Sequence, residues 1–206
     1  DIYHGLSHEL PLGIEKTSIK SVVTIHDLIF IRYPHLFSTI DRKIYLKKFK
    51  SACERADKII AISQQTKQDI IDFLDIPESK ITVVYQGCNN IFQKPIAESK
   101  KEETLKKHNI PTEYLLNVGS IEERKNLLTL LQALKELPNQ KLVVIGNGKS
   151  YKIKCLRYIK EHNLSGRVMF LSNLTLEEMA VIYQSAQLMI YPSIFEGFGI
   201  PILESL

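Results

Sequence analysis

The residues best equipped for chemistry lie near the end of the chain, in Tyr191-Pro192-Ser193-Ile194-Phe195-Glu196-Gly197-Phe198-Gly199-Ile200-Pro201-Ile202-Leu203-Glu204. An apolar run ends at Tyr191, two glycines then let the backbone approach a ligand closely, and Pro201 suits a first helical turn. Glu196 therefore falls in a loop and Glu204 about one turn into a helix. Both lie near the carboxyl end of a strand, where open α/β sheets bind ligands. Spacing alone leaves a second reading open, a turn carrying two surface glutamates.

Three other stretches invite chemistry. Gly146-Asn147-Gly148-Lys149-Ser150 follows a clean strand and precedes a helix, the place where backbone N–H groups and the helix dipole favour an anion. A P-loop would need its first glycine at Val143, and a dinucleotide fingerprint would need its third at Tyr151 and an acidic residue near Ser172, so both fail. A tight strand-to-helix turn and ligand contact through the backbone remain. His4 and His8 have the i,i+4 spacing of a helical metal pair, but Gly5 weakens a helix there and no third ligand follows, so no metal is expected. Between residues 41 and 58 the cations Arg42, Lys43, Lys47, Lys48, Lys50, Arg55 and Lys58 surround a stripe of Ile40, Ile44, Tyr45, Phe49 and Ala52. Its charges could meet an anionic membrane while the stripe packs inward; a solvated helix face is the alternative.

The elements that must carry these residues alternate. Seven runs read as strands: 21–25, 58–62, 81–85, 114–118, 142–145, 168–171 and 188–191. Most are continuously apolar, as in parallel sheets covered by helices on both faces. Helices start at recognisable caps: Ser63, Asn126, and Thr175 with Glu178 as a capping box. The order βαβα gives an α/β fold. Residues 93–110 are rich in Lys and Glu with little to form a core, which makes them the expected interdomain linker. Residues 1–92 and 111–206 are then two incomplete domains.

With 206 residues, 44% hydrophobic and 24% charged, the composition fits a globular chain and excludes collagen, coiled coil and wholesale disorder. No apolar run approaches the roughly 20 residues of a membrane span, and no signal segment opens the chain. Three scattered cysteines favour a reducing compartment, hence a cytoplasmic location. A net charge of +4 is too small to imply nucleic acid. The chain begins at Asp1 and stops inside an expected helix, which suggests an excerpt of a longer protein.

The terminal stretch resembles the E-x7-E motif of retaining glycosyltransferases with the GT-B fold, in the family called glycosyltransferase group 1 or family 4. Further landmarks fall in family order. Thr24-Ile25-His26-Asp27-Leu28 resembles the loop whose histidine faces the transferred sugar, and Ala61-Ile62-Ser63 a stretch late in the first domain. Val84-Tyr85-Gln86-Gly87-Cys88-Asn89 is similar to the segment before the linker. Val118-Gly119-Ser120-Ile121-Glu122-Glu123-Arg124-Lys125-Asn126 resembles the loop supplying cations to the donor diphosphate. Many members carry Arg where Ser120 stands, which shifts that role onto Arg124 and Lys125.

The resemblance implies two Rossmann-like parallel-sheet domains facing a cleft. It implies transfer of a sugar from a nucleotide-sugar donor, GDP-mannose or a UDP-sugar, to a cell-surface glycan or lipid-linked acceptor. His26 and Glu196 would be catalytic; Gly119, Arg124, Lys125, Phe198, Gly199, Ile200 and Glu204 would bind the donor, with Glu204 on the ribose hydroxyls. No cofactor or metal is implied, since the nucleotide sugar is a substrate. The enzyme would be cytoplasmic, with peripheral membrane contact through residues 41–58. The rival readings are a sugar-nucleotide epimerase or phosphorylase on the same fold and a non-catalytic nucleotide-sugar-binding module. An NAD-dependent oxidoreductase is disfavoured by Tyr151.

Overall fold

A computed structural model describes residues 1–206 and divides into two compact units. The first comprises Asp1–Gln86 with Phe195–Phe198, the second Gly87–Ile194 with Gly199–Leu206. Each is built on its own four-stranded parallel sheet covered by helices.

In the first unit the strands β1 (Ile2–Gly5), β2 (Lys20–Ile25), β3 (Lys58–Ala61) and β4 (Ile81–Val83) run in the order β1-β2-β3-β4. Val23, Ile25, Ile59 and Ala61 are fully buried at its centre. Strand β1 is absent from the sequence expectation: Ile2, Tyr3 and His4 are exposed, so this edge strand carries no apolar run to announce it. The short helix α1 (Ile29–Arg32) and the long helix α2 (Thr39–Arg55) follow β2, and α3 (Gln64–Leu74) follows β3. Ser63 caps α3 as expected, its side chain accepting the Thr66 N–H. On α2 the stripe does not all pack inward. Ala52 and Cys53 are buried, whereas Ile40 and Ile44 are 71% and 49% exposed.

The second unit opens with α4 (Glu98–Lys107), a helix inside the stretch expected to be a linker. It is anchored by Lys107 Nζ (2.7 Å) and His108 Nε2 (2.8 Å) on the Glu178 carboxylate. Then come β5 (Leu115–Val118), α5 (Leu127–Lys135), β6 (Leu142–Ile145), α6 (Ser150–Glu161), β7 (Val168–Leu171), α7 (Leu176–Ser185), β8 (Leu188–Met189) and α8 (Ile200–Glu204). Every residue of β5 and β6 is buried, which explains their apolar sequence; the one polar residue, Asn117, donates from its Nδ2 to the Ile190 carbonyl at 2.8 Å. The capping box of Thr175 and Glu178 starts α7. The sheet order is β7-β6-β5-β8. The chain therefore winds outward from β5 through β6 to β7, then returns to the other side of β5. That reversal makes the carboxyl ends of β5 and β8 a topological switch point, the usual ligand crevice of such sheets. No helix is long and apolar enough to cross a membrane.

Candidate functional site

The loops at this switch point are tied together. After β5, Lys125 reaches the residue that ends the neighbouring strand region: its Nζ donates to the Tyr191 hydroxyl at 2.7 Å and lies 4.9 Å from the Tyr191 ring centroid. The Arg124 carbonyl accepts the Ile194 N–H at 2.9 Å, and Asn126 Nδ2 donates to the Pro192 carbonyl at 3.3 Å. Gly119 has φ 143, a conformation that favours glycine, and a Cβ there would meet Lys125 Nζ at 3.7 Å. An ammonium thus stands over a bare stretch of backbone. Ser193, in the loop leading to Glu196, has a buried Oγ with no hydrogen-bond partner.

The 146–150 loop is explained by its neighbour. Gly146 has φ 153, and a Cβ on it would overlap the Gly119 carbonyl oxygen; a Cβ on Gly148 would overlap the Ile121 carbonyl oxygen. The Ile121 N–H donates to the Asn147 carbonyl at 2.7 Å. These glycines let two strand-end loops lie backbone against backbone.

Of the expected donor residues, the switch point gathers Gly119, Arg124 and Lys125. Arg124 lies 3.9 Å from Glu122 across its own loop. Gly199 has φ 94 and precedes α8, which starts at Ile200 with Pro201 in its first turn. Glu204 is held by a partner that sequence reasoning missed: its Oε2 accepts the Tyr183 hydroxyl at 2.8 Å. Burial, then this hydrogen bond, raises the Tyr183 pKa far above its ordinary value, so the phenol remains a donor. Tyr183 and Tyr191 were legible only as apolar positions; a tyrosine at the end of a buried run, with a hydroxyl needing a partner, is the signal that could have flagged them.

In the first unit, His26 follows β2 directly. Its Nε2 lies 2.9 Å from the Leu6 carbonyl, its backbone N–H points to His8 Nδ1 at 3.4 Å, and its carbonyl accepts the Thr66 hydroxyl at 3.1 Å. The motif residues Phe195–Phe198 belong to this same unit. Arg32 carries the Phe195 ring at 5.4 Å and pairs with the fully buried Asp69. A Cβ on Gly197 would overlap the His26 carbonyl oxygen, so glycine is required there, and Glu196 is covalently next to it. Phe198 packs at 6.0 Å from the Tyr85 ring. His4 and His8 form no metal pair: His4 Nε2 bonds Thr24 Oγ1 at 2.8 Å, and no group of three or more His, Cys, Asp or Glu side chains is arranged to hold an ion.

Known proteins resemble this chain in sequence and in fold. A family model described as glycosyl transferases group 1 matches residues 100–206, and one described as Glycosyltransferase Family 4 matches residues 2–90. The serotype-specific mannosyltransferase WbdA of Escherichia coli is 29% identical over 213 residues, covering 98% of this chain and 26% of the relative. O-antigen chain mannosyltransferase B, also of Escherichia coli, is 27% identical over 212 residues, covering 100% of this chain and 54% of the relative. The chain thus spans about half of one relative and a quarter of the other. The crystal structure of HepE of Anabaena in complex with UDP-glucose superposes with a TM-score of 0.74 at 20% identity, over 91% of this chain and 50% of HepE. At that identity the likeness shows the fold, GT-B.

Proposed function

We propose, for a chain that belongs to the glycosyl transferases group 1 family, that it forms part of a retaining glycosyltransferase. The protein moves a sugar, most simply mannose from GDP-mannose, with UDP-sugars as the competing donors, onto a surface glycan or lipid-linked acceptor. The observation that carries this reading is Lys125, fixed by Tyr191 above the bare backbone of Gly119 at the switch point of a parallel sheet. A departing nucleoside diphosphate gathers negative charge, and a preorganised ammonium at that place stabilises it more in the transition state than in the bound donor. Arg124 and the backbone around Gly199 add to this field. Glu204 takes the ribose hydroxyls, its carboxylate oriented by Tyr183. His26 and Glu196 serve the transferred sugar.

The mannosyl preference is supported by the names of the two Escherichia coli relatives, and the nucleotide-sugar donor by the UDP-glucose complex of HepE. In this reading the protein works at the cytoplasmic membrane face, with residues 41–58 as the contact. Exposure of Ile40 and Ile44 beside Lys43 and Lys47 on α2 supports that contact, since apolar side chains can enter the headgroup region while the cations meet anionic lipid.

The test is a thermal-shift panel on the full-length protein with GDP, UDP, ADP and NAD. A ligand at about a hundred times its Kd adds roughly 2.7 kcal/mol. One nucleoside diphosphate should raise the wild-type Tm by several degrees and leave Lys125→Met and Glu204→Ala nearly unmoved. The matching nucleotide sugar with acceptor should yield that diphosphate and a lengthened glycan. Stabilisation by NAD alone, or by no nucleotide, would sink the proposal; isomerised sugar nucleotide or sugar phosphate as product would replace transfer by epimerase or phosphorylase chemistry.

A further inference from the structure

His26 is held on three sides by groups with no role in the proposed function so far. Strand β1 ends at Gly5, and the turn Leu6 to His8 folds back on β2, where the His8 N–H donates to the Thr24 carbonyl at 3.0 Å. At His8 the backbone is left-handed, φ 62, a conformation uncommon outside glycine that histidine tolerates better than most residues, and its surroundings hold the ring in place. Those surroundings are visible. The His8 ring stacks on Phe49 of α2, centroids 4.3 Å apart and planes 9° from parallel, and meets the His26 ring edge to face at 5.1 Å. Its Nδ1 faces the His26 backbone N–H at 3.4 Å. The same turn supplies the Leu6 carbonyl, 2.9 Å from His26 Nε2.

We propose that His8 is a positioning residue for His26: its Nδ1 accepts the His26 backbone N–H, and its turn aims the Leu6 carbonyl so that His26 presents Nδ1 to a hydroxyl of the sugar. The inference rests on the glycosyltransferase reading for the identity of that hydroxyl, though not for the geometry. A carbonyl only accepts, so the hydrogen of the neutral His26 ring sits on Nε2 and its Nδ1 is an acceptor, suited to a hydroxyl donor. His8 must be neutral to accept in turn. Burial first, and the nearby His26 second, lower its pKa to about 4, against a smaller opposing effect of Glu9, which is itself paired with Lys48 of α2. The two histidines at i,i+4 spacing thus belong to different tasks, His4 to Thr24 and His8 to His26.

Two substitutions separate positioning from packing. His8→Asn tolerates the left-handed backbone and offers an oxygen to the His26 N–H. His8→Phe keeps a ring on Phe49 and loses the acceptor. In the full-length protein, with histidine labelled in nitrogen-15, the wild-type His26 should show the tautomer protonated at Nε2. His8→Phe should mix the tautomers and lower kcat by about ten- to a hundred-fold, as a small misplacement can, with donor KM little changed. His8→Asn should restore both. Equal damage in both variants, or no change in either, overturns the proposal, as does a wild-type His26 protonated at Nδ1 alone. That last spectrum decides the matter if His8→Phe fails to fold. If the wild type transfers no sugar, the functional reading falls while the tautomers and their response to His8→Asn still judge the positioning role.

Discussion

The two units secure the carboxyl ends of their strands with different emphasis. In the first, polar groups around one ring do most of it: His8 Nδ1, the Thr66 hydroxyl and the Leu6 carbonyl each hold a different atom of His26, Ser63 in turn bonds the Thr66 hydroxyl at 3.0 Å, and the bare Gly197 lies against the His26 carbonyl. In the second, missing side chains do it: Gly146 and Gly148 let one loop press its backbone against the carbonyls of Gly119 and Ile121. The first arrangement orients one ring. The second brings two strand-end loops together and sets the long side chain of Lys125 across to Tyr191. A group that must present one atom to a sugar gains from tight orientation, whereas a diphosphate with many equivalent oxygens needs room and charge.

If this contrast is right, the largest effect of any single methyl group belongs to Gly146→Ala. The added carbon would overlap the Gly119 carbonyl, and φ 153 suits no L side chain, so two loops must part. The expected cost is about 3 kcal/mol or more, roughly a 10 °C fall in Tm for the full-length protein by calorimetry, with nucleotide stabilisation lost as well. Gly166→Ala is the control, because a Cβ there meets nothing within 4 Å and its Tm should hold. A harmless Gly146→Ala would break the comparison, since glycine would then not be what joins the loops.

Acid separates the units next. His8, lowered to about 4 from its ordinary 6.5, is neutral in the folded first unit and protonates first in the unfolded chain, so its contribution is full above pH 6.5 and shrinks as pH falls toward 4. Carboxylates act lower. Glu178 in the second unit is held near 2 by Lys107, the Thr175 N–H and His108, and Asp57 in the first is held near 2 by the Ser21 N–H, Lys20 and the Ser21 hydroxyl. Their contributions persist above their ordinary values of 4.5 and 3.8 and fade as pH drops toward 2. Hydrogen exchange, corrected for its intrinsic pH dependence, should therefore show peptides of residues 1–86 losing protection between pH 7 and pH 5 while those of 111–190 keep theirs. His8→Phe should flatten that window. Equal loss in both units would mean that some other group dominates.

These contrasts mark what a sequence can carry. Buried strands such as Leu115–Val118 announce themselves because both faces are covered, and the capping box at Thr175 is local chemistry readable over four residues. Strand β1 is hidden because an exposed edge needs no apolar residues. The stripe on α2 turned out half exposed because helical spacing tells which residues share a face, not how far along the helix its cover extends. The helix α4 was concealed by its charges, its anchors lying some seventy residues away at Glu178. Glu196 and Lys125 were found through a motif, whereas the roles of Tyr191, Tyr183 and His8 were not, since each acts through a partner distant in sequence.

The smallest predicted effect belongs to the second unit. Nearly every polar side chain buried in the protein has a partner, but Ser193 Oγ, in the loop between Tyr191 and Glu196, has none. An unsatisfied buried hydroxyl costs stability, so Ser193→Ala should leave Tm unchanged or raise it by about a degree or two. A fall of several degrees would show that the hydroxyl already has a use in the fold. Should Tm hold while stabilisation by the nucleoside diphosphate weakens, the hydroxyl is one of the groups the donor itself satisfies. The second unit would then keep polar capacity in reserve for its ligand, where the first has bound its own around His26.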